Sequence, residues 1–214
     1  MLNMDFLQEV FIKTDKEPWQ ASPMAGVWRK PLAREEAERG HATSVVKYDA
    51  GSFFRSHPHP GGEEIFVIKG VFSDESGDYP AGSYFRNPPG TSHAPHSKDG
   101  CELFVKLHQF SVTDRKQINI DTNDFLKSGK SFHLLHEHQN EKVFWIRLNL
   151  SSDLTLLKQL EINNNAVELL VIKGELEYKE KSLNQYAWLR VPCFNLDCFT
   201  FKTELTALIK LGHF

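Results

Sequence analysis

Three stretches of this chain return, ungapped, at a single offset of 104 residues. Glu64-Ile65-Phe66-Val67-Ile68-Lys69-Gly70 returns as Glu168-Leu169-Leu170-Val171-Ile172-Lys173-Gly174. Tyr84-Phe85-Arg86-Asn87-Pro88 returns as Trp188-Leu189-Arg190-Val191-Pro192, and Leu103-Phe104-Val105-Lys106-Leu107 as Ala207-Leu208-Ile209-Lys210-Leu211. Further upstream Val45-Val46-Lys47-Tyr48 matches Trp145-Ile146-Arg147-Leu148 only after a shift of four. A repeat of this period constrains the fold more than any composition, because both copies must solve the same packing problem. The 214 residues therefore read as two copies of one unit, joined between Ser111 and Gly129. We place the domains at residues 1–115 and 116–214.

Each copy reads as all-β. Short runs rich in Val, Ile, Phe and Tyr are separated by turn clusters such as Asp49-Ala50-Gly51, Pro60-Gly61-Gly62, Pro80-Ala81-Gly82 and Pro88-Pro89-Gly90. That punctuation suits a sandwich or barrel and leaves no room for the crossover helices of a parallel sheet. The one helix-compatible stretch, Leu32 to Arg39, reads as a short surface helix or a charged loop.

The first copy contains a cluster of residues that carries chemistry. His57 and His59 are two apart, so on a strand both imidazoles face the same way. Pro60-Gly61-Gly62 then turns the chain, Glu63 opens the next strand, and His93 follows the forced turn at Pro88-Pro89-Gly90. Three neutral imidazoles and one carboxylate suit a divalent transition metal. Zinc or iron heads that list, with nickel or manganese next, at one ion per chain. Glu64 is the rival carboxylate, but its parity turns it away from the face Glu63 occupies.

These residues resemble a known family. Gly51-x5-His57-x-His59-x3-Glu63-x6-Gly70 is similar to the first cupin motif. Gly82-x5-Pro88-x-Gly90-x2-His93 is similar to the second, with Ser97 where an Asn usually closes it. The run from Glu63 to Pro95, Gly100-Cys101 and the pattern Pro18-Trp19, Ser22-Pro23, Gly26-Val27-Trp28 resemble the ChrR-like cupins, which include the C-terminal domain of ChrR-type anti-sigma factors. The resemblance implies two tandem cupin jelly-roll barrels with His57, His59, Glu63 and His93 as metal ligands in the first.

The offset predicts that the second copy has lost the site. His57, His59, Glu63 and His93 fall on Glu161, Asn163, Val167 and Asp197, and valine binds no metal. That copy would serve for packing, ligand enclosure or dimerisation, which makes a homodimer one expected assembly. His133, His136 and His138 read as surface histidines, and His96 as a solvated loop residue with proton donation as its other reading. The recurrence of Arg86 as Arg190 points to a structural role. Lys69/Lys173 and Lys106/Lys210 read as solvated strand faces. Cys101, Cys193 and Cys198 read as buried small side chains with no disulfide framework.

Composition narrows the function. With 25 basic against 28 acidic residues and no basic stripe, nucleic-acid binding is not expected. No apolar run suits a membrane span or a signal peptide, so a cytoplasmic protein is expected. Two classes remain. One is a dioxygenase-like metalloenzyme that binds a small oxygen-rich molecule at the metal. The other is a non-catalytic, stress-sensing cupin. Direct sigma-factor binding is not expected, since the helical zinc domain of those anti-sigma factors has no counterpart here.

Overall fold

The computed structural model describes residues 1–36, 40–150 and 155–214. It is mostly β, as the spacing of turn residues predicts, and falls into two units. One comprises Met1–Met4 and Pro18–Lys127, the other Asp5–Glu17 and Ser128–Phe214.

In the first unit the main strands are β1 (Val27–Arg34), β2 (Ala42–Tyr48), β3 (Glu63–Asp74), β4 (Ser83–Asn87) and β5 (Cys101–Leu107). They pair antiparallel in the order β4-β3-β5-β2-β1, with Ile118–Asp121 added outside β4. In the second unit they are β6 (Phe132–His138), β7 (Glu141–Leu148), β8 (Val167–Lys173), β9 (Trp188–Val191) and β10 (Leu205–Leu211). Their order is β9-β8-β10-β7-β6, the same as in the first unit, with Val10–Ile12 outside β9. The repeat therefore extends to topology. The shift of four is also a register fact: Val46 faces Leu103 in the first unit, and Ile146 faces Ala207 in the second. Among the described residues each sheet remains an open path of paired strands, without the closure that two complete barrels would require.

Alternation explains the cores. In the first unit Val27, Val46, Ile65, Val67, Leu103 and Val105 point inward from four strands and pack with Phe72 and Phe85. In the second unit the hydrophobic core takes in more residues, with Phe144, Leu157, Tyr178, Phe194 and Phe199 among them. Its emptied metal positions follow suit: Val167 joins that core, while Glu161, Asn163 and Asp197 are exposed.

Several expectations need correction. Leu32 and Ala33 are fully buried inside β1, so no helix starts there; residues 37–39 lie outside the described residues. Lys106 and Lys210 are buried rather than solvated. Lys106 donates to Thr43 Oγ1 at 3.1 Å, and Lys210 pairs with Glu141 at 2.9 Å. Lys69 and Lys173 are exposed, as expected. His136 is buried, because the register shift between Leu134 and His136 on β6 turns it inward, whereas His133 and His138 stay partly exposed. Cys101 is buried, but Cys193 is exposed and Cys198 partly so; all three are free thiols.

Candidate metal centre

His57 and His93 are brought together by two short strands, His57–Pro58 and Ser92–His93, which pair with His57 directly opposite His93. His59 continues from the first, its N–H donating to the Thr91 carbonyl at 2.9 Å. The turn at Pro60-Gly61-Gly62 then swings the chain into β3. Gly62 has a φ of +78°, and a Cβ there would meet the Phe110 ring at 2.3 Å, so only glycine fits this turn. Glu63 opens β3 opposite Leu107 on one side and Asn87 on the other. Four side chains from three places in the sequence thus converge, each offering one ligand atom, all within 4.8 Å of one another.

Hydrogen bonding fixes which nitrogen of each ring faces inward. His57 Nδ1 lies 2.9 Å from the Arg55 carbonyl, which can only accept. His93 Nδ1 lies 3.1 Å from the Asp74 carboxylate, also an acceptor. His59 Nδ1 lies 2.9 Å from the Thr91 hydroxyl, which already donates to the Pro88 carbonyl at 2.8 Å and so accepts from the ring. The network places the proton of all three rings on Nδ1 and leaves three Nε2 lone pairs toward the centre.

The inward nitrogens are the decisive observation. His59 Nε2 and His93 Nε2 are buried without a hydrogen bond, although each lies 3.3 Å from Glu63 Oε2. A buried unpaired polar atom costs about 1–3 kcal/mol, so two facing one carboxylate mark a place for a cation. Neutral imidazoles with a carboxylate fit a divalent transition metal. Burial holds the His59 imidazole neutral, lowering its pKa to about 4; Glu63 opposes the shift while His93 and His57 add to it. The ring is therefore ready to bind a metal without first losing a proton. Glu64, the rival carboxylate, instead accepts from Tyr84 at 3.1 Å and Arg86 at 2.8 Å. Arg86 is fully buried, also pairs with Asp114 at 2.9 Å, and acts structurally.

The site opens into a cavity of about 590 Å³ within the first unit. Val46, Phe72, Leu103 and Val105 supply apolar walls, and Tyr48 and Arg29 border it too. Burial beside Glu63 raises the Tyr48 pKa, so its hydroxyl stays protonated. His96 is exposed and is not part of this wall. Ser97, in the place of the usual motif Asn, donates to the Val71 carbonyl at 2.6 Å and ties the turn to β3.

Sequence reasoning did not identify Asp74, Thr91 and Asn87, which donate to or accept from His93, His59 and Glu63 in turn. Asn87 Nδ2 lies 3.2 Å from Glu63 Oε2. Asp74 lies eleven positions after Glu63 on the same long strand, and only the curl of β3 brings it back beneath His93. Arg29 and Tyr48 were missed because nothing in their spacing links them to the histidines.

Residues 7–111 match the family model of the ChrR Cupin-like domain. The chain carries a ChrR cupin-like domain. No curated protein matches in sequence. Among solved structures, this chain is similar in fold to a candidate dioxygenase from Nostoc punctiforme, at 16% identity over 97% of this chain and 83% of that one (TM-score 0.75). The bacterial pirin YhhW from Escherichia coli, in complex with nickel(II), matches at 12% identity over 95% and 98% of the two chains (TM-score 0.64). A cupin 2 conserved barrel domain protein from Leptotrichia buccalis matches at 10% identity over 99% of both (TM-score 0.60). No helix among the described residues is long and apolar enough to cross a membrane.

Proposed function

We propose that this protein is a tandem cupin whose first barrel holds one divalent transition metal through His57, His59, Glu63 and His93. Beside it the barrel binds a small oxygen-rich molecule, in the manner of a mononuclear dioxygenase. The observation that carries the reading is the pair of buried, unpaired Nε2 atoms facing Glu63. The adjoining cavity supports it, being far larger than a structural metal needs and within the range of small-molecule sites. The similar fold of a candidate dioxygenase and of a nickel-bound pirin agrees with this reading.

When bound, such an ion supplies Lewis acidity or, as iron, a redox centre. The chain's own groups do the rest. Asp74, Thr91 and the Arg55 carbonyl hold the three rings in one tautomer. The apolar walls exclude water from a seated ligand, and Tyr48 keeps a hydroxyl proton available as a hydrogen-bond donor. The second barrel, filled by its own core, carries no metal and serves packing. Three free cysteines suit a reducing cytoplasm.

The test is anaerobic loading with Fe(II), addition of β-dicarbonyl and hydroxyketone compounds, and admission of oxygen. Oxygen uptake that needs a substrate, and is lost when Glu63→Ala and His93→Ala are combined, supports the enzyme. The family match to a ChrR cupin-like domain favours a second, regulatory reading. That reading takes over if no compound perturbs the iron spectrum or the oxygen trace while the zinc-loaded protein binds a partner.

A further inference from the structure

We propose that His108 is the proton acceptor of this cavity: a small chelating molecule with an acidic O–H, an enol or a phenol, binds at the His57, His59, Glu63 and His93 site and gives its proton to the His108 imidazole. This inference rests on the metal-site reading and deepens it.

The backbone of His108 is what needs explaining. It follows the last residue of β5 with a φ of +58°, a left-handed conformation that strains any residue with a Cβ. Among the described residues of the first unit, Asn3 is the only other non-glycine with a left-handed backbone. The internal repeat supplies a comparison. At the offset of 104, His108 falls on Gly212, which follows β10 with a φ of +65°. The turn therefore recurs in both copies, and glycine makes it without strain in the copy that has lost the metal ligands. The copy that keeps them puts an imidazole there.

The surroundings are shaped for that ring. A Cβ at Gly61 would lie 2.6 Å from His108 Nδ1 and 2.7 Å from its Cα, so the glycine makes room for the histidine. In the second copy that room is not needed, and the matching position holds Asn165. The His108 N–H donates to the Gly62 carbonyl at 3.0 Å, which ties the residue to the turn joining His59 to Glu63. Leu107, the residue before it, stands directly opposite Glu63. His108 is half-buried, borders the cavity, and makes no ring hydrogen bond to a described residue.

Its chemistry fits the neighbouring site. An oxygen acid chelates a cation as its anion, so an O–H proton must leave on binding. Imidazole is the side chain suited to exchange a proton near neutral pH. Of the other groups bordering the cavity outside the four ligands, Tyr48 keeps its own proton and Glu36 is exposed. In the step, the ligand O–H bond breaks and its electron pair stays on the oxygen that faces the metal site. The proton bonds to an imidazole nitrogen, and no electron is exchanged. The imidazolium then pairs with the oxyanion it has made, a charge-assisted contact stronger than a neutral one.

The experiment uses the full chain loaded with zinc(II), which is colourless, and 4-nitrocatechol, whose visible band distinguishes its singly from its doubly deprotonated form. The parent should bind the probe doubly deprotonated. His108→Gly reproduces the residue of the second copy, and His108→Asn tolerates the same backbone but takes no proton. Both variants should bind the probe singly deprotonated and at least about tenfold more weakly, at unchanged zinc content. Free imidazole should restore the doubly deprotonated band in His108→Gly, where it has room, and not in His108→Asn. A parent that binds the probe singly deprotonated or not at all, variants that match the parent, or a His108→Gly that imidazole leaves unchanged, with zinc still bound, overturns the inference and leaves the metal site standing. A chain that retains no zinc overturns both.

Discussion

His93 Nδ1 lies 3.1 Å from Asp74 Oδ2, so a carboxylate outside the ligand set holds the ring whose other nitrogen faces Glu63. Groups of this kind fix ring orientation and raise ligand basicity, and their loss typically costs 10–100-fold in metal affinity. Asp74→Asn should therefore weaken metal binding by about that factor while all four ligands remain. Competition against a coloured chelator measures it; an unchanged affinity would show that the contact does not tune the site.

Metal content should be one ion per chain. His57→Ala and His93→Ala should each abolish tight binding, whereas His138→Ala, on the partly exposed end of β6, should leave it intact. Elemental analysis after dialysis decides this, and two tightly held ions would contradict it.

Acid should destabilise the metal-free protein through His59. Its folded pKa is lowered to about 4, against ~6.5 for an exposed imidazole, so the unfolded chain binds a proton over that window and the folded one does not. The contribution is present above pH ~6.5 and is lost as pH falls toward 4. Thermal unfolding of the chelator-treated protein between pH 7.5 and 4 should show a shallower decline in His59→Gln. Parallel slopes would remove His59 as the source.

The two copies share one steric constraint that can be tested twice. Gly70 has a φ of +71°, and a Cβ there would sit 2.1 Å from the Gly100 carbonyl oxygen; Gly174 at +90° would place one 2.1 Å from that of Glu204. Gly70→Ala and Gly174→Ala should each destabilise by about 2 kcal/mol or more. Denaturant unfolding that gives a stability loss of less than about 0.5 kcal/mol would show that the turns can relax.

The pattern of residues disclosed the β class, the repeat and the convergence of His57, His59, Glu63 and His93, because period-2 alternation and forced turns are local signals. Long-range curvature was not legible. Asp74 reaches His93 only through the bend of a twelve-residue strand, and His136 turns inward only through a bulge. Lys106 and Lys210 carried no sign of burial either, since their partners Thr43 and Glu141 come from other strands.

The outer strands impose an order of events. Val10–Ile12 precedes the first copy in the chain yet pairs with β9, at Trp188–Val191, while Ile118–Asp121 precedes the second copy and pairs with β4. During synthesis Val10–Ile12 leaves the ribosome well over a hundred residues before its partner strand exists. At about 5–20 residues per second it waits some ten seconds or more with its backbone unpaired. The first unit has all its strands once Ile118–Asp121 is made, whereas the second must recover a strand synthesised before the first, and a chaperone that covers exposed strand edges would have Val10–Ile12 as a client throughout that wait.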